Sequence, residues 1–265
     1  VAEYRGDKFY VLGLKEGGFR ERPKLPVSIS AYTPTTLYNG MIHPLVPFTI
    51  RGTIWYQGEA NVSDPQMYQK TFPAMISSWR LVFESGEFPF YFVQIAPYDY
   101  GEGSRSEELR EAQLLTMQRV KNTGMAVTLD IGNPKNIHPC NKQDVGHRLA
   151  LWALAQTYRQ KVPVYSGPVL KTVKKEKNQL KLVFDHAGSG LVLKEKNGNN
   201  EFLIAGPDSV FKNAVVEVKG KTLLLSHPEI ENPIAVRYAW SNTSEATLFN
   251  KEGLPASSFR AGVKK

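Results

Sequence analysis

Between residue 48 and about residue 160 the chain alternates short apolar runs with amphipathic segments, and this alternation constrains the fold more than any other feature. The apolar runs predict strands at Thr49–Tyr56, Phe88–Ala96 and Met125–Ile131. Helical spacing of apolar residues predicts helices after Asp64-Pro65, from Ser106, and from about Gln143 to Tyr158. Strands separated by helices in this way indicate a parallel sheet covered on both faces.

After Pro163 the pattern changes to short strand candidates separated by Gly, Asn and Pro. These candidates are Leu180–Phe184, Val215–Val218, Thr222–Ser226 and Ile234–Trp240. The lack of a long helical period among them predicts a small antiparallel β domain. We therefore expect an α/β protein with two domains: residues 1–163 with the parallel sheet, and residues 164–265 as a β-sandwich-like domain.

Composition excludes two classes of partner. The chain of 265 residues carries a formal net charge of +8, but its lysine runs alternate with apolar residues or lie at the terminus, without aromatic–basic interleaving. We therefore expect a solvated basic surface and no nucleic-acid partner. No apolar run reaches the roughly 18 residues of a membrane span, so none is predicted. The single cysteine, Cys140, cannot form an internal disulfide.

Polar clusters follow two of the predicted strands. Gln57-Gly-Glu-Ala-Asn61 comes directly after the first, and Asp130 and His138 follow the third. In an open parallel sheet, ligands bind beyond the carboxyl ends of the strands, so we expect these clusters to converge on one site. Taken singly, the amides of Gln57 and Asn61 also fit loop capping and helix capping.

His138 is the strongest candidate among five histidines, because Ile137 and Pro139 restrain it in a loop that precedes a helix. His43 has the same flanking residue types and remains an alternative. A histidine base needs an acceptor that orients it and a nucleophile to activate, and Asp130 is a candidate for the first role. No G-x-S-x-G elbow supplies the second.

Metal and nucleotide sites are not indicated. The sequence contains no H-E-x-x-H, no zinc spacing of Cys and His, no G-x-x-x-x-G-K-[ST] and no G-x-G-x-x-G after a strand. We expect neither a metal nor an organic cofactor.

Several motifs in fixed order resemble one family. "LYNGMIHPL", "IWYQGEAN", "FPFYFVQIAPY", "LREAQ" and "IHPCNKQDVGHRLA", followed by "FLIAGPDSVF" and "AVRYAW", are similar to the sialate O-acetylesterases, serine esterases of the SGNH-hydrolase type. The resemblance implies a three-layer α/β/α sheet, an O-acetylated carbohydrate as partner, no cofactor, and export to the periplasm, the extracellular space or a lysosome. It implies hydrolysis of sugar acetyl esters, sialate 9-O-acetyl esters first, through an acyl-serine.

The family places its nucleophilic serine in a Gly-Gln-Ser-Asn block, which does not occur in these 265 residues. The resemblance therefore implies that the chain is the C-terminal portion of a longer esterase. The missing N-terminal portion would be its partner, and the chain alone would be inactive.

The resemblance assigns His138 as the general base. Gln57 and Asn61 would donate hydrogen bonds to the oxyanion, with Gly58 allowing close approach of the backbone. In the SGNH pattern the asparagine falls at Ala60, one place before Asn61, so Gln57 is an equal candidate for the donor.

The acid partner is less well defined. Lys135 stands where an Asp-x-x-His signature would place the aspartate, which leaves Asp130 or a backbone carbonyl to orient the base. Glu59 would organise the loop or bind substrate. Arg110 and Gln113, one turn apart on a helix, would contact a sugar carboxylate or bridge to Glu59.

Three rivals remain open. An acetylxylan esterase shares the chemistry. A non-catalytic carbohydrate-binding module is suggested by Tyr238 and Trp240, although alternating aromatic residues in a strand more often lie in a core. An inactive scaffold homologue would lack the serine altogether.

Overall fold

The computed structural model describes residues 2–5, 8–11, 30–31 and 33–263, the first two ranges as backbone alone. The chain forms two compact units, residues 1–50 with 81–86 and residues 51–80 with 87–265. In the first unit, β1 (Ala2–Arg5) and β2 (Lys8–Val11) pair antiparallel, and short helical turns follow at Tyr38–Ile42 and His43–Leu45. His43 belongs to this unit, where its ring centroid lies 6.1 Å from that of Tyr38.

The second unit contains the predicted parallel sheet. Its strands are β3 (Thr53–Tyr56), β4 (Phe90–Val93) and β5 (Thr123–Ala126), in that spatial order. The helices are α1 (Pro65–Val82), whose residues 65–80 belong to this unit, α2 (Ser106–Arg119) and α3 (Lys142–Trp152), each after one strand. The predicted fold class is confirmed. Each strand is only four residues long and shorter than its apolar run, and β5 also begins two residues before the predicted start at Met125.

The two faces of β4 explain why helices cover both sides of this sheet. Phe90 and Phe92 point to one face, where the ring of Phe72 from α1 lies 6.2 and 4.9 Å from theirs. Tyr91 and Val93 point to the other face and pack in a buried cluster that includes Leu149 of α3. All four residues of β4 are at most 3% exposed. Burying each such side chain contributes roughly 1.5–3 kcal/mol, so the three layers depend on this strand.

The helix starts follow from local sequence. The Asp64 carboxylate accepts a hydrogen bond of 3.0 Å from the Met67 N–H, and Pro65 begins α1. The Asn141 side chain accepts one of 3.1 Å from the Asp144 N–H at the start of α3. An N-cap of this kind contributes about 1 kcal/mol. The second cap also fixes where the loop that carries His138 ends.

Beyond residue 168 the described chain is all β. Its strands are β6 Val169–Glu176, β7 Gln179–Asp185, β8 Leu191–Leu193, β9 Phe202–Ala205, β10 Phe211–Asn213, β11 Val215–Lys219, β12 Thr222–Ser226, β13 Ala235–Tyr238, β14 Leu248–Asn250 and β15 Phe259–Gly262. Two antiparallel four-stranded sheets have the strand orders β10-β9-β13-β15 and β11-β12-β7-β6, and β8 pairs with β14. The ring of Phe184 in β7 lies 6.0 Å from that of Phe259 in β15, so side chains of the two larger sheets are in contact.

The change from α/β to all-β structure falls between the π-helical turn Ala153–Thr157 and β6. This is close to the boundary predicted at residue 163, although both parts lie in the second compact unit. The division into domains 1–163 and 164–265 stays a prediction. In the part of the chain that the structure describes, no helix is both long enough and apolar enough to cross a bilayer.

Candidate active site

The first polar cluster begins where β3 ends. Gly58 follows with a φ of 155° and precedes a 3₁₀ turn at Glu59–Asn61. A Cβ on Gly58 would lie 2.8 Å from Cγ2 of Ile95 and 3.0 Å from Cδ2 of Leu109. Only glycine fits here, because any other residue would be strained at this φ and its Cβ would overlap the side chains of Ile95 and Leu109.

Gln57 and Asn61 are hydrogen-bonded to each other. The Gln57 Nε2 donates to Asn61 Oδ1 at 2.7 Å, and Gln57 Oε1 accepts from the Tyr68 hydroxyl at 3.2 Å. Each polar atom of the Gln57 amide therefore has one partner, and Nε2 keeps a second N–H. The Asn61 Nδ2 has no partner among the described residues, so both of its N–H groups are available to a ligand.

Gln113 fixes this loop from below. Its side chain is fully buried, donates to the carbonyl of Gln57 at 3.3 Å and of Val93 at 3.2 Å, and accepts from the Ile95 N–H at 3.0 Å. One amide thus ties the exit of β3 to the exit of β4. This is a positioning contact rather than one that faces a ligand.

Arg110 lies in a different environment. It is 0% exposed and donates to Ser258 Oγ at 2.9 Å, to Ser106 Oγ at 3.0 Å and to the Ser241 carbonyl at 2.6 Å. Burial lowers the pKa of its guanidinium to about 10. These bonds join α2 to the β-rich part of the chain. Among the described residues it has no ion pair with Glu59, and a role of Arg110 in binding a sugar carboxylate stays a prediction.

The second polar cluster is the loop from Asp130 to Cys140. The Asn136 Oδ1 accepts from the His138 N–H at 2.9 Å, and Pro139 next to it is buried. These contacts hold the backbone while the imidazole of His138 stays exposed. A cavity of about 310 Å³ lies beside it, lined by Tyr56, Glu59, Ile137, His138, Pro139 and Lys142. The structure therefore brings His138 and the loop after β3 to one shared hollow.

Asp130 pairs with an arginine. Its two carboxylate oxygens accept from Nη1 and Nη2 of Arg148, each at 2.6 Å, and Arg148 also donates to the Val127 carbonyl at 2.5 Å. Within the described part of the chain no hydrogen bond joins Asp130 to His138. The orienting role of Asp130 stays a prediction. Sequence reasoning missed Arg148, because an arginine within a helix gives no signal of which carboxylate it meets.

Two tyrosines that feel the charge of Glu59 were also missed, and one of them, Tyr56, lines the cavity. The hydroxyls of Tyr56 and Tyr100 are buried, and neither has a hydrogen-bond partner among the described residues. Burial first, and the nearby charge of Glu59 second, raise the pKa of Tyr56 to about 12. The same two causes raise the pKa of Tyr100. Glu59 therefore acts on both phenols as a negative charge in a partly desolvated setting.

The aromatic residues of β13 and the loop after it differ in exposure. Tyr238 is 0% exposed, and its hydroxyl accepts from the N–H groups of Thr247 and Leu248 at 2.9 and 2.7 Å. The guanidinium of Arg260 lies 5.0 Å from the ring centroid of Trp240. Tyr238 is thus a core residue and offers no platform for a sugar.

Comparison with known proteins adds the family. A model of the carbohydrate esterases described as sialic acid-specific acetylesterases matches residues 27–155, the stretch that contains both polar clusters. A sialate O-acetylesterase of Rattus norvegicus is 30% identical over 87% of this chain and 48% of its own length. The chain belongs to the sialate O-acetylesterase family. The human sialate O-acetylesterase is 35% identical over 51% of this chain and 29% of its own length.

A solved structure agrees with this assignment. A carbohydrate acetylesterase from Xanthomonas citri is 41% identical, with a TM-score of 0.81 over 87% of this chain and 55% of that one. The resemblance to sialate O-acetylesterases is confirmed. The chain spans about half the length or less of these relatives.

Proposed function

We propose that this member of the sialate O-acetylesterase family contributes the general base and the oxyanion donor of an enzyme that hydrolyses acetyl esters of sugars. The observation that carries the proposal is the shared cavity, which His138 lines together with Tyr56 and Glu59. These two residues stand directly before and after Gln57-Gly58 in the chain. An exposed imidazole on a restrained loop is suited to move a proton. An acyl-serine mechanism needs such a base next to the reacting hydroxyl.

In this mechanism His138 takes the proton of the serine as its oxygen attacks the acetyl carbonyl. The tetrahedral oxyanion forms within reach of the Asn61 Nδ2, whose two N–H groups have no partner among the described residues. One such donor typically stabilises the transition state by about 3–4 kcal/mol. His138 then returns the proton to the leaving sugar hydroxyl, and water releases acetate from the serine in a second step. No Gly-Gln-Ser-Asn occurs here, so a part of the protein outside these 265 residues supplies the serine.

The test uses the full-length protein with p-nitrophenyl acetate. We expect His138→Ala to lower turnover by about a thousandfold, because general acid–base catalysis contributes on that order. His147→Ala is the matched control, since His147 is exposed on α3 and does not line the cavity. Wild-type turnover in His138→Ala would remove this histidine from the mechanism. Robust activity of the 265-residue chain alone would place a nucleophile within it.

Asp130 is proposed as the residue that orients His138, and this has its own test. Because Arg148 already binds both Asp130 oxygens, Asp130→Asn must be scored for turnover and for stability together. Turnover that falls while the urea midpoint stays within error supports the orienting role. Full turnover in Asp130→Asn leaves a backbone carbonyl as the orienting acceptor.

Sialic acid is proposed as the sugar and export as the route, both because of the family. Rates on 9-O-acetylated sialic acid and on acetylated xylan separate this enzyme from an acetylxylan esterase. Cell fractionation tests export.

A further inference from the structure

The cavity beside His138 carries two opposite charges, those of Glu59 and Lys142. The Lys142 ammonium lies 4.8 Å from the ring centroid of Tyr56, a cation–π contact that holds it over the cavity. No carboxylate among the described residues comes within ion-pair distance of its Nζ. The three donors of this ammonium are therefore available to a ligand.

The position of Lys142 conflicts with the local rules for helices. It is the first residue of α3, where the helix dipole favours acidic side chains and disfavours cations. Asn141 and Asp144 already satisfy this terminus, so the lysine adds nothing to the start of the helix. Apart from its cation–π contact with Tyr56, Lys142 has no partner among the described residues that would offset this, and a residue that breaks a local rule in this way indicates a functional site.

Glu59 lines the same cavity and forms no ion pair with Lys142 in the described part of the chain. Its charge acts on Tyr56 and Tyr100, as the raised pKa values of both phenols indicate, with burial as the larger cause. An ionised carboxylate accepts hydrogen bonds and donates none, so Glu59 suits the hydroxyls of a polyol. The cavity thus offers an acceptor for hydroxyls and a separate cation for an anion.

We propose that Lys142 binds the carboxylate of an acidic O-acetylated sugar while Glu59 accepts its hydroxyls, so that this pair selects sugar acids over neutral acetylated sugars. The proposal rests on the proposed esterase function and adds the residue that sets its substrate class. Lys142 is a specificity residue here and moves no proton.

Binding of the deacetylated product tests the role of Lys142 independently of catalysis. The full-length protein is titrated by calorimetry with N-acetylneuraminic acid and with its C1 methyl ester, which lacks the charge. We expect the acid to bind about tenfold tighter, the range of one charge-assisted hydrogen bond. Lys142→Gln removes this preference and Lys142→Arg keeps it. Lys135→Gln keeps it too, because Lys135 is an exposed lysine of the loop that carries His138 and does not line the cavity.

Kinetics then separate this inference from the function on which it rests. With O-acetylated substrates, Lys142→Gln lowers the preference in kcat/KM for the acid over its methyl ester by about tenfold, and 0.5 M salt lowers the wild-type preference in the same direction. Equal binding of acid and methyl ester, or an equal loss in Lys135→Gln, overturns the role of Lys142. A Lys142-dependent preference in binding without any hydrolysis overturns the esterase instead and leaves this inference standing.

Discussion

The ion pair between Asp130 and Arg148 connects the loop after β5 to α3. Its removal is a sensitive test of the structure. The side chains are 18% and 8% exposed, and two bonds of 2.6 Å join them. Arg148→Met leaves a mostly buried carboxylate without its partner, and breaking such pairs costs about 3–5 kcal/mol. Because Asp130 keeps some contact with water, we expect the lower end, about 3 kcal/mol.

The assay is urea unfolding of the 265-residue chain. For a chain of this size, a loss of about 3 kcal/mol lowers the midpoint by about 1 M. Lys171→Met is the control, because Lys171 and Asp185 form an ion pair with side chains 57% and 53% exposed. Such a pair contributes at most about 1 kcal/mol. Adding Asp130→Leu to Arg148→Met should recover part of the loss, since it removes the unpaired charge. Equal midpoints for Arg148→Met and Lys171→Met would refute the reasoning.

Three further predictions concern single side chains. Gly58→Ala should lower the free energy of unfolding by about 2–4 kcal/mol, because the new Cβ meets a strained φ and overlaps its neighbours. Gly146→Ala, in α3 with open space around it, should raise the free energy of unfolding by up to about 1 kcal/mol. Urea midpoints that shift in the same direction for both variants would contradict this. Tyr238→Phe leaves two N–H groups without an acceptor and should lower the free energy of unfolding by about 2 kcal/mol. Tyr56→Phe at pH 7 should lower it by less than about 0.5 kcal/mol, because the Tyr56 hydroxyl has no hydrogen-bond partner among the described residues. Equal losses for the two variants in thermal unfolding would count against this prediction. The pKa of Tyr56 is raised to about 12 in the fold, so the stability that its neutral phenol contributes is complete below the ordinary pKa of about 10 and is lost as pH rises toward 12. Tyr56→Phe should therefore flatten the decline of the urea midpoint above pH 10. An unchanged decline would contradict the raised pKa.

Local sequence was sufficient where the determining interactions are local. Asp64 and Pro65 predict the start of α1 because a cap needs only a side chain and an N–H three residues later. The apolar run around Phe90 predicts a buried parallel strand because helices must cover both of its faces. The order of the motifs predicted the family, since several of them in sequence are more specific than any one.

The candidate site was only partly predictable, because its contacts join residues that are distant in sequence. Arg110 and Gln113 share a helix face, yet Arg110 reaches Ser258, 148 residues away, and Gln113 reaches Gln57, 56 residues away. The spacing on α2 therefore says nothing about which partner each side chain meets. The same limit hid Arg148 as the partner of Asp130.

The sequence by itself determined the alternation of strands and helices, the family, and which residue types stand at the ends of the strands, because periodicity and short motifs are properties of neighbouring residues. The tertiary structure decided the rest: it placed His138, Glu59 and Lys142 around one cavity and buried Arg110 away from it. Packing of segments that are distant in sequence sets these positions, because a side chain forms a hydrogen bond only with a group that the fold places within about 3 Å of it.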